Sequence, residues 1–365
     1  MTASIAPTAP PEVRSGLEGV IAFATTIAEP DRDGGALRYR GVDLEDLVGT
    51  VPFEQVWGLL VDGTLLPGLA PAEPHPLAVR SGDPRVDVQA ALATLAPEWG
   101  FRPLIAISDE QARADLARAS VMALSFVAQS ARGGGRPVPQ REIDTARSIP
   151  ERFLIRWRGE ADPRHVKAID AYWISAAEHG MNASTFTARV VASTGADVAA
   201  ALSAAVGALS GPLHGGAPSR VLKMLDDVER EGNAEQYVKD LLDRGERLMG
   251  FGHRVYRAED PRSRVLKRIA KELGSPRVAV AEELEQVAHE AIAKKSEGHS
   301  WTNVEYWSAV VLDVAEVPPA LAPAMFACSR TAGWSAHILE QKRLGRLVRP
   351  AARYVGPPPR TLAEL

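Results

Sequence analysis

Cysteine is almost absent: Cys328 is the single one in 365 residues. No intrachain disulfide can form, and no cysteine cluster can hold a structural zinc or an iron–sulfur centre. A reducing cytoplasm is the natural setting. Excess charge of either sign is also lacking: 42 Lys plus Arg stand against 46 Asp plus Glu, a formal net charge of −4. The molecule therefore has no general attraction for nucleic acid, and any anion site must be local. Long hydrophobic runs are missing too. The most apolar stretch, Val190 to Leu209, is broken by Gly195, Asp197 and Gly207 and reads as a buried helix rather than a membrane span. The N-terminal 15 residues carry Pro7, Pro10 and Pro11 without a basic region or an apolar core, so they read as a loose, disordered tail rather than a signal peptide. Walker A, GxGxxG, HExxH and GxSxG patterns are absent, which removes the common nucleotide, zinc-protease and serine-hydrolase readings.

What is present is the composition of a folded, water-soluble chain, 45 % hydrophobic and 24 % charged, long enough for about two domains or one large one. Helical spacing recurs along it, punctuated by Gly and Pro, which predicts a mostly α protein without internal repeats. Pro261 to Leu273 sets Val265, Leu266, Ile269, Ala270 and Leu273 on one side, with Asp260 as N-cap, Pro261 at the first position and Gly274 as the stop. Further helices are predicted over Val166 to Glu178, Val198 to Leu209, Ser219 to Val228, Val278 to Lys295, Val304 to Val314 and Ala320 to Leu344. Short extended pieces are predicted near Ile21 to Thr26 and Leu37 to Tyr39, turned by the polar stretch Glu29 to Gly35. Residues 132–140 and the VGPPPR end read as exposed, irregular chain.

Three histidines sit at glycine-marked ends of elements: His179 in AEHGMNAST, His214 in GPLHGGAPS and His253 in MGFGHRVYRAEDPR. Element ends are where side chains can enter a cleft. His253 precedes a basic run of Arg254, Arg257, Arg262, Arg264, Lys267, Arg268 and Lys271. Such a run is often just a solvated helix face. Arg262, however, lies in the first helical turn, where free amides and the helix dipole favour an anion and disfavour a cation. An arginine there makes sense if a carboxylate or phosphate arrives.

GPLHGG, GFGHRVY followed by DPR, HxxN at His179, TNVExWS and SRTAGW together resemble the citrate synthase family, in order, from GLEGV at Gly16 through RYRG at Arg38 to RP at Arg349. The resemblance implies a mostly α, two-domain helical fold. The large domain would comprise residues 16–215 and 321–365 and the inserted small domain residues 216–320, with the active site in the cleft between them. It implies a homodimer and the condensation of acetyl-CoA with oxaloacetate, followed by thioester hydrolysis to citrate and CoA. No metal or cofactor is implied, since the CoA thioester is a substrate, and neither is a nucleic-acid or membrane partner. By similarity, His214 donates to the thioester oxygen, His253 polarises the oxaloacetate ketone, and Glu305 is the base. Arg262, Arg330 and His179 would bind oxaloacetate together with Arg349 from the partner subunit, and Arg254 and Arg257 would meet CoA phosphates.

Two departures stand out. The family's base is an aspartate in PNVD, whereas this chain has TNVE, and Pro218 stands where asparagine is common. Asp313, eight residues on, is the only nearby alternative base, but about 12 Å further along a helix. A glutamate's extra methylene lengthens the reach by about 1.3 Å. That leaves open ordinary activity, a preference for propionyl-CoA as in 2-methylcitrate synthase, or a catalytically impaired homologue that binds oxaloacetate and CoA. Cys328 reads as a core thiol, and Trp301, Trp307 and Trp334 as core or cleft-lining rings.

Overall fold

The computed structural model of the chain describes residues 13–364 except 18, 32, 34, 72–73, 212–213, 215–217, 253–255, 257–258 and 296–300. The described residues form a mostly helical protein with one small sheet. Most of the expected N-terminal tail lies outside them. So do His253, Arg254 and Arg257.

The helices are α1 (Leu44–Leu47), α2 (Phe53–Asp62), α3 (Pro84–Trp99), α4 (Asp109–Arg132), α5 (Gln140–Ile143), α6 (Ile149–Arg158), α7 (Pro163–Ala176) and α8 (Ala183–Ser193). They continue as α9 (Val198–Leu209), α10 (Pro218–Glu231), α11 (Ala234–Asp243), α12 (Pro261–Glu272), α13 (Val278–Lys295), α14 (Val304–Val314) and α15 (Ala322–Leu344). Three predicted spans, α9, α13 and α14, match at both ends, and α12 differs by one residue. The agreement follows from side-chain caps: Asp197, Asp260 and Asn303 each accept a backbone N–H of the first turn.

The sheet is antiparallel, in the order β1 (Ala28–Asp31), β2 (Ala36–Tyr39), β3 (Val42–Asp43). Pro30 pairs with Leu37 on the edge strand β1, where a residue without an N–H is tolerated. The first strand therefore begins after the predicted Ile21 to Thr26 segment. There Thr25 and Thr26 instead donate their hydroxyl and amide to the Glu340 carboxylate on α15. A long-range side-chain acceptor replaces a ladder.

Helix α15 is the organising element. It packs against α2, α4, α7, α8 and α9, and nearly every residue from Ala324 to Leu339 is buried. Around it lies an aliphatic and aromatic core that includes Trp57, Trp173 and Trp334. Cys328 is part of this core, its thiol pushed well up by burial. Helices α10 to α14 pack among themselves, and α12 and α14 lie against α7. Helix α7 stops at Ala176, short of the predicted Glu178. The Tyr39 hydroxyl from β2 lies 3.0 Å from the Ile174 carbonyl and 3.1 Å from that of Glu178, and accepts the Glu178 N–H at 3.2 Å. This buried hydroxyl takes over the polar groups that the helix end leaves open. No helix among the described residues is long and apolar enough to cross a membrane.

One strained point of the scaffold is chemical rather than geometric. Asp170 on α7 accepts the Phe53 N–H at 2.8 Å at the start of α2, and burial together with neighbouring Glu54 pushes its carboxyl up to about 7. A carboxyl raised in the folded state binds its proton more tightly there than when unfolded. Its contribution is thus fully present below the unfolded value and is lost as pH rises toward 7. The Asp170→Asn variant should gain thermal stability relative to the native chain between pH 5 and pH 8, by several degrees. Parallel melting curves across that range would contradict this assignment.

Candidate active site

Where α7, α8, α12, α14 and α15 come together, the charged side chains are held by unusually explicit local chemistry. Asp260 caps α12, its Oδ1 accepting the Arg262 N–H at 3.0 Å. The same carboxylate grips the Arg262 side chain, Oδ1 accepting from Nε at 3.0 Å and Oδ2 from Nη2 at 2.7 Å. Oδ2 also accepts the Val304 N–H at 3.1 Å. One buried carboxylate thus ties the start of α12, the arginine on its first turn and the start of α14 together. The sequence identifies Asp260 as a cap and misses the other two roles.

Glu305 occupies the next position of α14. Asn303 caps this helix by accepting the Glu305 N–H at 3.0 Å and donates its own amide to the Gly252 carbonyl at 2.9 Å. Two backbone bonds, Gly252 N–H to Trp301 O and Asn303 N–H to Gly250 O, lace the chain just before His253 to the start of α14. Gly250 has φ +82°, and a Cβ there would lie 3.0 Å from the Tyr306 side chain, so only glycine permits the approach. Behind α14, the buried Glu285 carboxylate accepts from Thr302 Oγ1 at 2.8 Å, Trp307 Nε1 at 3.1 Å and Lys267 Nζ at 2.7 Å. Glu305 has no side-chain hydrogen bond among the described residues. Burial pushes its carboxyl up to about 7, against the pull of Arg262 and Arg220, with Asp260 adding to the rise.

Arg330 lies inside α15, 2 % exposed. Its guanidinium sits 4.9 Å from the Phe326 ring centroid, and its Nε and Nη1 have no hydrogen-bond partner among the described residues. A buried cation with donors to spare is costly unless an anion meets it. It feels the charges of Glu178 and Arg262 and lowers the basicity of the nearby His214. His214 faces Phe326 edge-on at 6.1 Å and contacts Ser184 Oγ through Nε2 at 2.9 Å. Ser184 Oγ in turn accepts from Trp334 Nε1 at 3.1 Å. Burial, with Arg330 second, lowers the His214 pKa and favours the neutral ring. His179 is buried, its Nε2 3.0 Å from the Tyr256 hydroxyl.

Of the predicted residues, then, His179, His214, Arg262, Glu305 and Arg330 share one electrostatic neighbourhood. Arg349 is exposed beyond α15 and makes no hydrogen bond or ion pair among the described residues. Asp313 accepts from Arg277 Nε at 3.0 Å near the far end of α14, engaged in an ion pair away from Glu305. The described residues of the basic run beyond Arg262 are neutralised by acids: Arg264 by Glu45 and Glu259, Lys267 by Glu282 and Glu285, Arg268 by Glu272, and Lys271 by Glu282. They form no free cationic face. Tyr39, Tyr256 and Glu178 went unnoticed in the sequence, although Tyr39 stands in RYRG and Tyr256 in GFGHRVY.

Breaking the Asp260 hub should be expensive. Asp260→Ala leaves a buried guanidinium and an uncapped helix, a loss of about 3–5 kcal/mol. A urea denaturation curve unchanged by the substitution would contradict this.

Comparison with known proteins agrees with this arrangement. The family described as citrate synthase, C-terminal domain, matches residues 16–351. A putative citrate synthase 2 of Mycobacterium tuberculosis is 68 % identical over 349 residues, 95 % of this chain and 94 % of that protein. A 2-methylcitrate synthase of Shewanella oneidensis is 32 % identical over 382 residues, 96 % of this chain and 97 % of that one. Among solved structures, a citrate synthase of Thermoplasma acidophilum, in a ternary complex with carboxymethyl coenzyme A and oxaloacetate, superposes with a TM-score of 0.80 at 29 % identity. That match covers 97 % of this chain and 99 % of the other.

Proposed function

The chain belongs to the citrate synthase family, acyltransferases that condense acetyl-CoA with oxaloacetate, and we propose that the cleft around Arg330 is where it does so. The observation that carries this reading is the Arg330 guanidinium, buried beside Arg262 and His214 with two donors that have no partner among the described residues. Oxaloacetate brings two carboxylates to such a place. Arg330 and Arg262 pair with them, helped by His179. Arg349, exposed after α15, completes the neighbouring subunit's site in a homodimer. Residues 216–320 form the smaller domain, and the enzyme works in the cytoplasm.

The chemistry then follows from the side chains. Glu305 removes a proton from the thioester methyl, a very weak acid, while His214 donates a hydrogen bond to the thioester oxygen as negative charge develops on it. Burial and the Arg330 charge hold the His214 ring neutral, so it acts as a hydrogen-bond donor rather than as a cation. The enolate carbon attacks the ketone carbon of oxaloacetate, polarised by His253, and the ketone oxygen takes up a proton. Water then cleaves the resulting thioester to citrate and CoA. Arg254 and Arg257 meet the CoA phosphates. The reaction calls on no resident cofactor.

A glutamate held near 7 is a better base than an ordinary one, but it must be ionised to act. In the free enzyme kcat/KM should therefore rise with pH through about 7 and level off above it. Thiol release from acetyl-CoA with oxaloacetate, followed with a thiol-reactive dye, measures this directly. Glu305→Ala should lose activity about 10²–10⁴-fold, and Glu305→Asp should keep or raise it. Full activity in the alanine variant would remove Glu305 from the role. A strong preference for propionyl-CoA in the same assay would make the product 2-methylcitrate.

A further inference from the structure

Directly behind Arg330, the chain buries a second charge that the proposed chemistry does not use. Glu178 is fully buried, and its Oε2 has no hydrogen-bond partner among the described residues. It sits against α15 at Gly333, one turn beyond Arg330. The Gly333 N–H donates to the Ala177 carbonyl at 3.2 Å, and a Cβ on Gly333 would clash with Glu178 Oε2. The carboxylate is near enough to act on Arg330 electrostatically, yet no direct ion pair joins them.

What keeps them apart is a chain of hydrogen bonds with only one consistent protonation pattern. Arg189 donates from Nε to Gln341 Oε1 at 3.0 Å and from Nη1 to Glu340 Oε2 at 2.6 Å, and Nη1 also faces His337 Nδ1 at 3.0 Å. A guanidinium has no acceptor, so His337 Nδ1 accepts and the ring is neutral, with its proton on Nε2. That N–H then donates to Glu178 Oε1 at 3.2 Å. Glu178 thus receives a neutral donor rather than a cation. Its charge is left to balance Arg330 at a distance, whereas Glu340 pairs with Arg189 directly.

We propose that Glu178 is a positioning residue of the oxaloacetate site, a counter-charge tethered by His337 so that it neutralises Arg330 without occupying its donors. The proposal rests on the reading of this cleft given above. Two opposite effects follow. A negative charge behind the site stabilises the substrate-free protein, and it weakens the hold on a dianion and on the more highly charged product. Freed of its tether, the same carboxylate would swing onto the unpartnered donors of Arg330 and compete with substrate.

Calorimetric titration of oxaloacetate alone into the full chain and two variants tests this, with melting temperature as the second readout. Glu178→Gln keeps an acceptor for His337 and removes the charge. It should bind oxaloacetate about 3–10-fold more tightly, a size expected for one screened charge at short range, while melting lower. His337→Leu removes the tether and should bind about 10-fold more weakly. A purely structural hydrogen bond would move both variants in the same direction, so that result, or unchanged affinity in both, overturns the proposal. If Glu178→Gln does not accumulate as folded protein, His337→Leu decides alone, and unchanged or tighter binding overturns it. Failure of the unaltered chain to bind oxaloacetate would instead overturn the functional reading, and this proposal with it.

Discussion

The structure depends on one costly placement, a guanidinium in the middle of a helix that is buried on every side. Helix α15 is packed against α2, α3, α4, α7, α8 and α9, and Arg330 lies within it with donors that no described residue accepts. Removing a cation from water costs several kcal/mol even after relaxation, so the fold must supply balancing charge or lose stability. Around Arg330 it supplies aromatic groups, Phe326, Tyr39 and Tyr172, and the buried carboxylate of Glu178. None of these quenches the donors.

A second group of interactions ties the acidic and cationic parts of the candidate site together. Asp260 bonds both to the arginine on α12 and to the first amide of α14, so Arg262 and Glu305 share a common anchor. Glu285 fastens the same two helices from behind through Lys267, Thr302 and Trp307. With both helix starts pinned, the position of Glu305 is set by backbone and caps rather than by its own side-chain bonds. A carboxyl that is buried but not hydrogen-bonded is poised to take a proton, whereas a satisfied one would be a poor base. Asp313, on the same helix, is satisfied by Arg277.

Much of this was legible in the sequence, for identifiable reasons. Helices α9, α12, α13 and α14 could be placed because short polar caps, proline starts and glycine stops act within a few residues of the backbone they satisfy. His179, His214, Arg262, Glu305 and Arg330 could be picked out from their motifs. The first strand could not be placed, since Thr25 and Thr26 are claimed by Glu340, more than 300 positions away. The basic run after His253 looked like a possible anion surface until Glu45, Glu282 and Glu285 were brought against it. Those acids come from β3's neighbouring helix α1 and from α13, and no local pattern reveals the match.

By itself the sequence determined the mostly helical class, the helix ends and the family, because caps, periodicity and ordered motifs are properties of short segments. Tertiary structure alone decided which charges are paired and which are left free. Asp260 and Arg262 are two residues apart and could be matched by eye. That Glu178 faces His337 and not Arg330, and that Arg330 keeps donors unmet by any described residue, depends on α7, α8 and α15 meeting in the core. Electrostatic energy inside a protein is set by distance and burial, and both are fixed only when remote segments pack.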